Sequence, residues 1–247
     1  MIRWAFLDVG NVLLDEDPLT FRNFQVHVEA VRRVRPDLGF ADLLADREAR
    51  AAAGSAWPLF EVVSRHLDEA GCASAWEAAS REIRARFDEL SPPIAGVEAL
   101  LGSLSPRFRL GLIANQGVEC RRRLEQLGWL DRFAVVALGE EERVSKPDEA
   151  LFQRALARAG VEPAEAVMVG DRLDNDIAPA ARLGMATAWV RWPRRAVKGW
   201  APAGPDAAAY LASLERVAAR PGPVRPTIAV DDLDELLPAL LGMGDEW

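Results

Sequence analysis

The chain is poor in sulfur, short of cations and without any long apolar stretch, and each shortage excludes something. Its two cysteines, Cys72 and Cys120, are far apart and lack metal-type spacing. A disulfide scaffold is thereby excluded, and both thiols read as packing residues suited to a reducing cytoplasm. Lys and Arg number 30 against 38 Asp and Glu, a net charge of -8. Nucleic acid and anionic membrane are held mainly by clustered cations, so neither is expected as a partner. A small anionic substrate is not excluded, because one lysine and one metal ion reverse the field inside a single pocket. No apolar run approaches bilayer length. The opening MIRWAFLDVG carries Asp8 within its hydrophobic stretch and offers no small-residue cleavage site. No signal peptide is therefore expected, and the expected address is the cytoplasm.

What is present is ordinary globular material: half the 247 residues are apolar and 28% are charged, enough for a large domain or a core with an accessory domain. Residues 4–7 form a short apolar run ending on Asp8 and Gly10, as a buried parallel strand hands over to a loop. Further strand-like runs lie at 110–114, 134–138, 166–169 and 186–190, separated by helical patterns at 97–104, 119–127, 149–159 and 177–183. Glycines sit at the junctions (Gly128, Gly160, Gly184). This alternation predicts an α/β fold with a doubly wound parallel sheet.

Residues 19–90 break the alternation and read as helices only, at 21–34, 40–53, 58–70 and 75–90, with Phe60, Val63 and Leu67 at helical spacing. An all-helical insert after the first strand, returning through Ser91-Pro92-Pro93, reads as a helical cap domain over 18–90 on a core of 1–17 and 91–247. In the tail, 206–220 reads as a helix, 227–230 as an added edge strand and 233–241 as a closing helix.

The chemistry lies at the strand ends. Asp8 follows the first strand; Asp171 and Asp176 follow the run at 166–169; Lys146, in Ser145-Lys146-Pro147-Asp148, follows another. In a parallel sheet these loops share one edge, so the carboxylates can converge there. Clustered carboxylates repel in a shielded crevice and call for a cation, for which Mg²⁺ with its oxygen ligands fits best.

In this arrangement Phe6-Leu7-Asp8-Val9-Gly10-Asn11-Val12-Leu13 resembles the first motif of the haloacid dehalogenase-like (HAD) hydrolase superfamily. Leu112-Ile113-Ala114-Asn115 sits at the second, Lys146-Pro147 resembles the third, and Gly170-Asp171 followed by Asp176 the fourth. The resemblance covers about residues 2–190 and points to the phosphatase-like branch with a cap inserted after the first motif. It implies an aspartyl-phosphate on Asp8, charge compensation by Lys146, and Mg²⁺ held by Asp8, the Gly10 carbonyl, Asp171 and Asp176. It further implies a phosphate cradled by backbone N–H groups around Asn11 and Asn115, a cap that closes over the pocket, and a small phosphorylated metabolite as substrate.

Two positions depart from that pattern. Gly10 stands where most such phosphatases carry a second, acid–base aspartate, a function worth roughly 10²–10⁴-fold in rate. Asp15 and Asp17 are either substitutes or solvated loop acids. Ala114 replaces a hydroxyl-bearing residue, a loss of about 1 kcal/mol. Two alternatives therefore stand beside the phosphatase: a non-catalytic phospho-ligand-binding or regulatory protein, and a haloacid dehalogenase, for which Asp171 and Asp176 would be purposeless. His27 and His66 read as packing or surface residues, Arg47, Arg50 and Arg65 as a solvated face, Trp57 as core, and Arg172 and Asp174 as surface groups beside the acids. Arg191, Trp192, Arg194, Arg195, Lys198 and Trp200 read as a loop-packing patch.

Overall fold

The computed structural model describes residues 1–55, 57–192, 200–218 and 224–243. Two compact units emerge: one of residues 1–15, 92–199 and 220–247, the other of 16–91 and 200–219.

The first unit is built on a sheet whose strands are β1 (Trp4–Leu7), β2 (Arg109–Ala114), β3 (Phe133–Leu138), β4 (Ala166–Gly170), β5 (Ala186–Val190) and β6 (Ile228–Val230). They run in the order β3-β2-β1-β4-β5-β6, and every pair is parallel. β1 is central and buried throughout, as its continuous apolar run requires. Phe6 stacks on Trp4 with ring centroids 5.5 Å apart, and it lies so close to β2 that a Cβ on Gly111 would sit 2.5 Å from its ring. Glycine is required there for the strands to pair.

Helices α6 (Val97–Leu104), α7 (Val118–Gln126), α8 (Gly139–Glu142), α9 (Glu149–Ala159), α10 (Ala178–Arg182) and α12 (Leu236–Gly242) belong to the same unit. α9 shows how locally the chain specifies them. The Asp148 side chain caps it by accepting from the Ala150 N–H at 2.9 Å, and Gly160 ends it in a left-handed conformation (φ +62°). Its Leu151, Phe152 and Ala155 are buried with Trp4, Phe6, Ile113 and Met168. Burying Leu151 and Phe152 contributes roughly 1.5–3 kcal/mol each.

The second unit is all helical: α1 (Asp17–Arg32), α2 (Phe40–Ala52), α3 (Pro58–Ser64), α4 (Glu69–Ala85), α5 (Phe87–Leu90) and α11 (Pro205–Ala218). Helices expected at 58–70 and 75–90 divide differently, because Asp68 accepts from the Gly71 N–H at 2.8 Å and starts a new helix at Glu69. The placement of α11 differs from the domain boundary expected from sequence, which left 200–219 with the sheet. Tyr210 lies in the helical core, its ring 5.2 Å from Phe21, and Trp200 lies 5.5 Å from Phe21. Arg216 pairs with Glu48 at 2.7 Å. Trp57, read as core, is 73% exposed; it precedes Pro58, where α3 begins. Among the described residues no helix is long and apolar enough to cross a membrane.

Candidate active site

The sheet register brings the site together. Leu7 of β1 lies opposite Leu112 of β2 and Val169 of β4. The Asp8 N–H continues the ladder by donating to the Val169 carbonyl at 2.9 Å. Asp8, Asn115 and Asp171 therefore leave the sheet at one edge, where the strand order switches about β1.

Asp8 and Asp176 are buried and Asp171 is partly so; one carboxylate oxygen from each lies within 4.8 Å of the others. Lys146 Nζ, itself buried, reaches Asp8 Oδ1 at 2.8 Å and Asp176 Oδ1 at 2.6 Å. The Val9 N–H donates to Asp8 Oδ1 at 2.8 Å, and the Arg172 N–H donates to Asp176 Oδ2 at 3.0 Å. Asp176 is delivered by a single π-helical turn, Leu173–Ile177, which leads directly into α10. It packs so tightly on Gly170 that a Cβ there would lie 2.4 Å from its side chain.

The electrostatics follow from three acids sharing one ammonium. Burial pushes the Asp8 carboxyl up to about 8, beyond what Lys146 offsets, and the Asp176 and Asp171 charges add to the rise. Burial alone would lower the Lys146 pKa, but the Asp176 and Asp8 carboxylates outweigh it and hold it above its usual value. With all three acids ionised, these groups carry two more negative charges than positive. An all-oxygen donor set with that imbalance fits a hard divalent cation.

Asn11 and Asn115, the expected phosphate-binding positions, use their side chains on the scaffold. Asn11 Nδ2 donates to Asp171 Oδ2 at 3.1 Å. Asn115 Nδ2 donates to the Lys146 carbonyl at 3.1 Å, and its Oδ1 accepts from the Lys146 N–H at 2.7 Å. Gly10 bridges to Leu14 in the turn after β1. Ala114 closes β2, fully buried. Neither Asp15 nor Asp17 is a solvated loop acid: they are 0% and 3% exposed, Asp15 in the sheet unit and Asp17 in the first turn of α1.

The remaining polar residues weighed from sequence are engaged locally. His27 is buried against Trp76, 4.2 Å between centroids, and burial lowers its pKa. Arg50 pairs with Asp46 and Glu61, Arg65 with Asp46, and Arg47 stands 6.0 Å over Phe24. Arg172 pairs with Asp174 at 2.7 Å on the surface. Arg194, Arg195 and Lys198 lie outside the described residues.

Comparison with known proteins agrees with this geometry. The family profile of haloacid dehalogenase-like hydrolases matches residues 2–184, and the chain belongs to that family. It is 33% identical over 104 residues to the pyrimidine 5'-nucleotidase YjjG of Escherichia coli, covering 41% of this chain and 46% of that protein. It is 34% identical over 166 residues to the phosphoserine phosphatase of Thermus thermophilus, covering 65% and 64%. The matches thus span less than two thirds of these relatives' own lengths. The fold is similar to that of β-phosphoglucomutase from Clostridium difficile, with a TM-score of 0.66 at 16% identity over 100% of this chain and 98% of that one.

Sequence reasoning missed Trp189 and read Trp192 only as part of a loop-packing patch. Trp189 Nε1 donates to the Asp171 carbonyl at 2.9 Å, and Trp192 Nε1 donates to the Asn11 carbonyl at 2.6 Å. Trp189 lies in β5 opposite Gly170 and Trp192 just past that strand, and their place beside the strand that leads to Asp171 was the available signal.

Proposed function

We propose that the protein is a phosphatase acting on a small phosphorylated metabolite, with Asp8 as nucleophile. The observation that carries the reading is the buried contact of Asp8 and Asp176 with Lys146, beside Asp171. An Asp8 carboxylate oxygen attacks phosphorus, the ester P–O bond breaks, and the leaving alkoxide takes a proton from water as an aspartyl-phosphate forms; water then attacks phosphorus, releases phosphate and regenerates Asp8. Lys146 holds Asp8 in line and offsets charge on the transferring group. Backbone N–H groups around Asn11 and Asn115 cradle the phosphoryl oxygens. Asp8, Asp171 and Asp176, with the Gly10 carbonyl, would hold Mg²⁺. When bound, that ion would keep Asp8 ionised and neutralise phosphoryl charge. The relatives' names, a nucleotidase and a phosphoserine phosphatase, support phosphate esters as the substrate class. The buried thiols Cys72 and Cys120, which form no disulfide, support a cytoplasmic setting.

Gly10 and Ala114 favour a second reading, a phospho-ligand-binding protein without turnover. A panel of phosphorylated metabolites with Mg²⁺ separates the two. Phosphate release that disappears in Asp8→Asn is expected. Binding of phosphate across the panel without any release would establish the second reading.

A further inference from the structure

Trp189 and Trp192 tie together the two loops that carry the acids. Trp192, only 2% exposed, sits just past β5 and donates to the Asn11 carbonyl. The Asn11 side chain in turn donates to Asp171 Oδ2, and the Asp171 carbonyl accepts from Trp189. The hydrogen bonds thus run from the end of β5 to the loop after β1, across to the loop after β4, and back to β5. Both residues at the first link have left-handed backbones, Trp192 at φ +46° and Asn11 at φ +54°. Asparagine tolerates that conformation, but a bulky aromatic residue does so only at a conformational cost, which persists where surrounding contacts impose it.

We propose that Trp192 is a positioning residue for the metal-holding acids: acting through Asn11, it sets the placement and rotation of the Asp171 carboxylate relative to Asp8. The inference rests on the reading of Asp8, Asp171 and Asp176 as a divalent-cation site and adds a residue to it. A ligand carboxylate held by an outer hydrogen bond binds its ion more tightly, and removing such a partner typically costs about 10–100-fold in metal affinity. Trp189, bonded to the Asp171 main chain, fixes the same loop from its other side.

Calorimetric titration of the full chain with Mg²⁺ and Mn²⁺ tests this without relying on turnover. Trp192→Phe keeps an aromatic ring and removes the indole N–H, and it should weaken binding about ten-fold. Asn11→Gly keeps the left-handed backbone and removes the link to Asp171, and it should weaken binding similarly. In the double variant the losses should not add, since either change alone breaks the chain of bonds. Trp129→Phe, whose indole bonds Glu98 elsewhere in the unit, should bind as the parent does. Should Trp192→Phe fail to fold, Asn11→Gly decides. Wild-type-like affinity in Trp192→Phe or Asn11→Gly, or additive losses in the pair, would overturn the inference while leaving the metal site intact. A parent chain that binds neither ion would overturn the metal reading and this inference with it.

Discussion

Asn115 holds Lys146 by its main chain, its carboxamide accepting from the Lys146 N–H and donating to the Lys146 carbonyl. The ammonium that meets Asp8 and Asp176 is therefore aimed from a peptide pinned to the end of β2. Asn115→Ala removes both partners from a part-buried peptide and should lower the unfolding free energy by about 1–3 kcal/mol. Phosphate release should fall with it, because Lys146 loses its fixed origin. Urea denaturation beside a release assay checks both, and unchanged stability would show that the two bonds contribute nothing.

Lys146→Met leaves three acids around no cation. Removing one partner of a buried pair typically costs about 3–5 kcal/mol, so the metal-free variant should unfold at markedly lower denaturant. Millimolar Mg²⁺ should restore part of that loss, and more of it than the ion adds to the parent. Denaturation curves with and without the ion give the comparison.

For Asp8 the folded pKa, about 8, lies above the ordinary 3.8. The folded state therefore holds the proton more tightly. The associated stability is present below the ordinary value and is lost as pH rises through about 8. The metal-free protein should lose stability as pH rises from 3.8 to about 8 and level off above that, and Asp8→Asn should flatten that slope. Thermal melts in chelator across this range are the measurement; identical slopes in parent and variant would refute the assignment.

Gly170→Ala forces a methyl group to within 2.4 Å of the Asp176 side chain. Overpacking of this kind costs about 1–3 kcal/mol, and here it pushes Asp176 away from Lys146, so metal affinity and turnover should drop together. Gly102→Ala, in the interior of α6 with open space around it, should gain roughly 0.5–1 kcal/mol and leave activity unchanged.

The sheet and its acidic edge were legible because they depend on local patterns. Uninterrupted apolar runs mark buried parallel strands, and an acid directly after such a run has one edge to go to. Asp8, Lys146, Asp171 and Asp176 were read this way, and the register of Leu7 against Val169 explains how Asp8 and Asp171 come together. The work done by Asn11 and Asn115 was not legible. An amide after a strand can face ligand or scaffold, and the partners that decide it, Asp171 and Lys146, are remote in sequence. Trp57 was misread because aromatic character was taken to mean burial, although it only precedes the proline that opens α3. The place of α11 was hidden for a related reason. Its apolar stripe says that it packs, and only the ring contact between Phe21 and Tyr210 says on what.

That late arrival of α11 has a consequence for synthesis. The helices from Asp17 to Leu90 leave the ribosome early, but Tyr210, which finishes their core, and Arg216, which pairs with Glu48, follow only after β5 has been made. The earlier-made segment must wait, partly assembled and with apolar surface uncovered, while most of the other unit emerges. Closing so long a loop slows assembly. The nascent chain is therefore most exposed to aggregation or chaperone capture during the interval between its ninetieth and two-hundredth residues.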